Sequence, residues 1–232
     1  MTDQTISFAY PDARLLIFSR APIPGKVKSR LIPAIGETAA AELHRLMTQN
    51  IVSLAAEASL CPVELWCDDV SHEFFQTLSE RFNVKLCLQQ GRDLGERMHH
   101  AARCALAQAD SVIIVGSDCL QFTTDHFRTT LHELSLDECD VVVTPALDGG
   151  YVLLGLKSID KRIFQDISWG TGDVMSQTRA ALQALRWQWK EMPALRDTDI
   201  REDLMDVLSN RHQYRPDAGI DALLQQLELR GS

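Results

Sequence analysis

Residues Val112-Ile113-Ile114-Val115 are apolar without alternation and end at Gly116, the pattern of a strand buried on both faces. Such a strand needs a layer of structure on each side, which commits the chain to a helix-covered sheet. Further strand candidates are Leu15–Ser19, Val63–Cys67, Val84–Leu88, Val141–Thr144, Tyr151–Leu156 and Trp187–Glu191. Between them apolar residues recur at helical spacing: Ala40, Leu43, Met47, Ile51, Leu54 and Ala58; then Phe74, Phe75, Leu78 and Phe82; then Met98, Ala102, Ala105 and Leu106. Strand–helix alternation at this spacing predicts βαβ crossovers and a largely parallel sheet. After Val143 two strand runs follow each other across Ala146–Gly150 with no room for a helix, so one of them is expected to be antiparallel and the sheet mixed.

The 232 residues carry 23 Lys+Arg against 32 Asp+Glu, a formal charge of -9. That balance excludes a nucleic-acid platform, which wants a basic face, but leaves room for a small phosphorylated ligand at a local basic site. The six cysteines (Cys61, Cys67, Cys87, Cys104, Cys119 and Cys139) show no C-x-x-C pair and no zinc spacing, and they read as reduced, largely buried thiols. The N-terminal stretch lacks the basic and apolar regions of a secretion signal, and no window approaches a membrane span. A cytoplasmic protein with a single domain over residues 1–232 is expected, with residues 211–218 forming a loop before a last helix.

In an open α/β sheet, ligands sit beyond the carboxyl ends of the strands, and the unusual polar residues of this chain follow strands. Residues 20–30 hold Arg20, Lys26, Lys28 and Arg30 with no acid, and Gly25 lets backbone approach a ligand closely. These cations suit a di- or triphosphate, although the loop is neither a P-loop nor a dinucleotide fingerprint. Asp118 directly follows an apolar strand, where an isolated carboxylate is costly unless paired or metal-bound; its other reading is a cap for the helix near Thr124. Gly149-Gly150 permits a tight turn that brings Asp148 to the ligand edge. Trp169 is expected to pack on a ligand, and Thr171 either lines the site or caps the next helix. Asp197 and Asp199 would lie on one side of an extended segment, making Asp199 a candidate second metal ligand facing Asp118. The Gln90–Met98 segment reads as a binding loop or a plain turn, and His99 and His100 as core or surface side chains.

The stretches SRAPIPGKVKSRL, QQGRDLGERM, IVGSDC, TPALDGGYVLLGL, ISWGTGDV and DTDIREDL, in order between residues 19 and 204, resemble a bacterial family of GT-A-like transferases, the selenodomain-associated or arsenosugar-type glycosyltransferases. The resemblance implies a nucleotide-diphospho-sugar transferase fold: one three-layer α/β/α domain with a mixed, mainly parallel seven-stranded sheet. It makes Arg20, Lys26 and Arg30 phosphate ligands and sets Asp93, Gly95 and Arg97 beside the base or ribose. Asp118 takes the metal-binding place of a DxD-like motif, Asp199 that of the second metal ligand, and Asp148 faces the acceptor. Two positions depart from the family pattern: Leu120 stands for Pro, and Ile200-Arg201 for Thr-Pro. Lys28–Leu31, K-S-R-L, also resembles the K-[ST]-R-L of phospholactate guanylyltransferases.

The function these readings favour is a glycosyltransferase dependent on Mg²⁺ or Mn²⁺, with a nucleotide-sugar donor and a small-molecule acceptor. The alternatives are a pyrophosphate-releasing nucleotidyltransferase and a nucleotide-binding regulator without turnover.

Overall fold

The computed structural model describes residues 7–211, 214 and 217–231. Of the expected loop at 211–218, positions 212, 213, 215 and 216 lie outside them. In chain order the elements are β1 (Ala13–Ser19), α1 (Ile32–Ile35), α2 (Glu37–Glu57), β2 (Val63–Cys67), α3 (Glu73–Phe82), β3 (Lys85–Leu88), α4 (Leu94–Leu106), β4 (Ser111–Gly116), α5 (Thr124–Leu134), β5 (Val141–Pro145), β6 (Tyr151–Leu156), α6 (Val174–Leu185), β7 (Trp189–Glu191), α7 (Arg201–Ser209) and α8 (Ala218–Gly231), with a 3₁₀ turn at Lys161–Ile163.

The strands form one seven-stranded sheet in the order β3-β2-β1-β4-β6-β5-β7. All pairings are parallel except those of β6, which runs antiparallel to both β4 and β5. This is the irregularity expected after Val143. The last strand is shorter than the sequence suggests, starting at Trp189 rather than Trp187, because Gln188 turns its backbone to Asp140 instead of joining the ladder.

Each strand splits its side chains by the two-residue period. Leu15 and Ile17 of β1, Leu65 of β2, and Ile113 and Val115 of β4 pack beneath α2, α3 and α5. Leu16, Phe18, Trp66, Val112 and Ile114 face the other way, against Met98, Ala101, Ala102 and Ala105 of α4 and Met175 and Leu182 of α6. Full burial of one such aliphatic side chain contributes about 1.5–3 kcal/mol, so both helical layers are fixed by the same strands. Helix α2 is buried on two sides: Ile51, Val52 and Ala55 meet the sheet, while Leu43, Leu46 and Met47 meet Leu204 and Val207 of α7 and Ile220 and Leu224 of α8. Leu120 lies in that outer cluster, 2% exposed, so the residue at this departure from the family pattern serves as core. None of the described helices is long and apolar enough to cross a membrane.

Candidate active site

Most of the polar residues singled out in the sequence gather at the carboxyl edge of the sheet, around Asp118. The loop after β1 turns back on itself through Lys28, whose φ of 48° places a non-glycine residue in the left-handed region. Such a conformation persists only where the surroundings impose it, and here the side chain supplies the cause. The Lys28 side chain is 2% exposed; its Nζ lies 2.7 Å from Asp118 Oδ1 and 3.6 Å from Asp199 Oδ1, and it donates to the Thr198 carbonyl at 2.7 Å. Thr198 N in turn donates to the Asp118 carbonyl at 2.8 Å, tying the segment before α7 to the end of β4.

An ammonium therefore stands where two carboxylates converge. The walls around Asp118 disfavour its charge, but Lys28 more than offsets this and holds its pKa below the ordinary carboxylate value. Asp118 is not a helix cap: α5 begins at Thr124 with Thr123 as its N-cap, and Thr123 N donates to His126 Nδ1 at 3.0 Å.

Around this centre Arg20, Lys26, Lys28, Ser29, Arg30, His44, Asp118 and Asp199 line a cavity of about 210 Å³. Arg30 pairs with Asp199 at 3.3 Å and Arg20 lies 3.9 Å from Asp68; both guanidinium groups remain well exposed. Gly25, at φ 80°, holds a turn conformation that L side chains rarely adopt.

Three contributors escape the sequence reading. His44 of α2 is buried and lies 2.9 Å from the Arg20 carbonyl; burial lowers its pKa against the opposing charge of Asp118. Asp68 follows β2 directly and accepts from Ala21 N at 2.7 Å, fixing the start of the cationic loop. Gln89 donates to the carbonyls of Ser19 and Trp66 at 3.1 and 2.9 Å, locking β1 to β2 at the site's edge. The available signals were a polar residue inside the apolar stripe of α2 and an acid immediately after a buried strand.

On the other side of Asp118 lies a second cavity of about 260 Å³, lined by Phe18, Leu94, Met98, Ile114, Tyr151 and Trp169, with Asp148 and Asp197. The β5–β6 turn delivers Asp148: Ala146 N donates to the Gly150 carbonyl at 2.9 Å, and Asp148 Oδ1 accepts from Gly150 N at 2.9 Å. Gly149 has φ 94°, and a Cβ there would come within 2.3 Å of the Gly172 carbonyl oxygen. The absence of a side chain lets this turn and the segment before α6 meet backbone to backbone. Trp169 stands edge-on to Tyr151 at 6.2 Å between centroids. Gly95 lies beneath Trp169; a Cβ there would sit 2.5 Å from the Phe164 carbonyl oxygen and 2.7 Å from the indole nitrogen.

Two sequence expectations are corrected. Asp197 and Asp199 do not share a side: Asp199 faces the cationic cavity while Asp197 lines the other. The reason is that Thr198 is pinned between Asp118 and Lys28, which turns its neighbours apart. Burial and the nearby charge of Asp148 push Asp197 up to about 6. Thr171 is not the N-cap of α6; that position is Asp173, while the Thr171 hydroxyl donates to the Ser168 carbonyl at 2.8 Å.

The β3–α4 loop is self-contained. Asp93 caps α4 by accepting from Glu96 N at 2.8 Å, and Arg97 Nε donates to the Gly91 carbonyl at 3.1 Å. Asp93 and Gly95 line a further cleft with Trp169 rather than the cationic cavity. His99 and His100 are half-buried and pack edge-on to Phe164 and Trp66.

Among the described residues no group of three or more His, Cys, Asp or Glu side chains is placed to hold a metal ion. The point where Asp118 and Asp199 converge already receives a cation, the Lys28 ammonium, and its all-oxygen donors suit a hard divalent ion. The donors of this pair are thus of the kind that Mg²⁺ or Mn²⁺ would take.

A family model described as "uncharacterized protein conserved in bacteria (DUF2064)" matches residues 51–171, just over half of the chain. No curated protein sequence matches significantly. A solved structure from Desulfovibrio desulfuricans, described as a candidate nucleotide-diphospho-sugar transferase, is 28% identical, with a TM-score of 0.80 over 94% of this chain and 98% of its own. A cytidylyltransferase from Leptospira borgpetersenii (10% identity, 96% of each chain, TM-score 0.54) and a 4-diphosphocytidyl-2C-methyl-D-erythritol synthase from Anaerococcus prevotii (10% identity, 88% of this chain and 99% of its own, TM-score 0.54) share the fold. The architecture is that of the nucleotide-diphospho-sugar transferases.

Proposed function

The chain belongs to the bacterial DUF2064 family, and from that premise we propose that it is a glycosyltransferase that moves a sugar from a nucleoside diphosphate to a small acceptor. The observation that carries this reading is the meeting of two unlike cavities at Asp118, one cationic and one apolar-walled with free carboxylates. The names of its structural neighbours, a nucleotide-diphospho-sugar transferase and cytidylyltransferases, support transfer of a nucleotide-linked group in general.

In this reading Arg20, Lys26 and Arg30 neutralise the diphosphate, with the guanidinium groups forking onto its oxygens. The turn at Gly25 lets backbone N–H groups approach as well. Asp118 and Asp199 would hold Mg²⁺ or Mn²⁺, which when bound supplies charge to the departing nucleoside diphosphate. Lys28, which lines the same cavity, would add a further positive charge there. Asp93, Gly95 and Arg97 border the nucleoside. Asp148 orients the acceptor hydroxyl and accepts its proton as the new glycosidic bond forms and the bond to the diphosphate oxygen breaks. Gly149 and Gly150 hold the turn that presents it, and Trp169 and Thr171 border the acceptor.

The likeness of the K-S-R-L segment to the K-[ST]-R-L of phospholactate guanylyltransferases favours a second reading, nucleotidyl transfer. Product analysis separates the two: nucleoside diphosphate from a sugar donor supports the first, pyrophosphate from a nucleoside triphosphate the second. Nucleotide binding without either product, unaffected by EDTA or Asp118→Ala, would leave a regulator.

A further inference from the structure

We propose that the cavity beyond Asp118 takes an acceptor that is uncharged or cationic, a polyol or an amine with an apolar or ring face, and that it rejects phosphate- and carboxylate-bearing acceptors. This rests on the transferase reading and narrows it to a substrate class.

The cavity's described lining contains three acids, Asp118, Asp148 and Asp197, and no Lys, Arg or His. Only one of the three has its charge answered: Lys28 pairs with Asp118 from the far side. Neither Asp148 nor Asp197 has an ion-pair partner among the described residues, and Asp148 is exposed at the cavity rim. An anion entering here would meet two unneutralised carboxylates with no guanidinium or ammonium to hold it. A hydroxyl or an ammonium meets acceptors for its hydrogens instead.

The remaining wall is apolar and ring-faced. Phe18, Met98, Ile114, Tyr151 and Trp169 give a surface for the C–H face of a sugar or a cyclic acceptor. The cationic cavity differs on each count, so the two halves of the cleft sort ligands by charge. A nucleotidyl acceptor whose nucleophile is a phosphate would have to place it against Asp148 and Asp197.

The test uses the full chain and three ring-bearing probes: phenyl β-D-glucopyranoside, 2-phenylethylamine and phenyl phosphate, the last two being closely matched in size. Binding is read at the Trp169 indole N–H by NMR titration, with the resonance assigned through Trp169→Phe, so that phosphate bound in the cationic cavity is not counted. The glycoside and the amine are expected to bind at least tenfold more tightly than phenyl phosphate. In Asp148→Asn/Asp197→Asn the amine should weaken, and phenyl phosphate strengthen, by at least tenfold each. Equal binding of phenyl phosphate at Trp169, no binding by any probe, or an unchanged preference in a folded double variant would overturn the assignment. The wild-type probe series stands alone should the double variant not fold. Probe binding as expected with no nucleotide binding would sink the transferase reading alone. Nucleoside diphosphate release together with tight phenyl phosphate binding at Trp169 would sink this assignment alone.

Discussion

The two cavities share Asp118 and almost nothing else. On one side Arg20, Lys26 and Arg30 stand exposed over a buried Lys28; on the other, Asp148 and Asp197 stand against aromatic and aliphatic walls. A chain with a net charge of -9 has thus placed a local excess of cations and a local excess of acids on opposite sides of Asp118. What separates them is the Thr198 backbone, whose N–H donates to the Asp118 carbonyl and whose carbonyl accepts from Lys28 Nζ. The difference teaches that charge is sorted here by tertiary pairing, not by distance along the chain, since Asp197 and Asp199 fall on opposite sides.

The largest effect should come from the residue both cavities share. Asp118→Ala is expected to lower product formation by about a hundredfold to a thousandfold, the range seen when a charge-stabilising group is removed, with the fold retained by circular dichroism. Normal turnover would break the division of the cleft. Lys28→Met frees two carboxylates from their internal counter-ion. Without nucleotide, electron paramagnetic resonance should then detect Mn²⁺ bound at least tenfold more tightly than in wild type. Equal affinity would mean that the ammonium does not compete for the cation position. On the cationic side alone, Arg30→Ala should raise the dissociation constant of a nucleotide about tenfold, the loss of one charge-assisted contact. Calorimetry should find probe binding at Trp169 unchanged.

Smaller effects sharpen the apolar side. Gly95→Ala forces a methyl against the Phe164 carbonyl and the Trp169 ring, and overpacking of this kind costs about 1–3 kcal/mol. The melting temperature should drop by about 2–4 °C per kcal/mol in a chain of this length, and acceptor-side binding and nucleotide affinity should both weaken, because Gly95 lies beneath Trp169 and is assigned to the nucleoside border. Asp93→Ala removes the cap of α4, worth about 1 kcal/mol. If Asp93 also borders the nucleoside, nucleotide affinity falls with it; a pure cap would leave that affinity unchanged.

Much of this was legible because of how the strands are buried. A run such as Val112–Val115 has few other places to go, and the short gap between Val143 and Tyr151 announced the antiparallel β6. The short, largely exposed β7 was blurred because its burial signal is weak. Residues placed by their own strand, Asp118 and Asp148 among them, were found by position. Those placed by distant partners were not. The turn of Asp199 away from Asp197 depends on a bond to Asp118 across some 80 positions, which no local period encodes. His44 was hidden because a helical stripe reads by its majority.

The cysteines settle a practical matter. Cys61, Cys67, Cys119 and Cys139 are buried, burial pushes the first three up to about 12, and only Cys104 is exposed. The thiolate is the form that reacts, so a maleimide dye added near neutral pH will go first to Cys104. That residue lies near the end of α4, the helix whose first turn carries Gly95 and Arg97. The molecule therefore offers an attachment point for a fluorophore on the helix that begins at the cleft, without adding or removing a single residue.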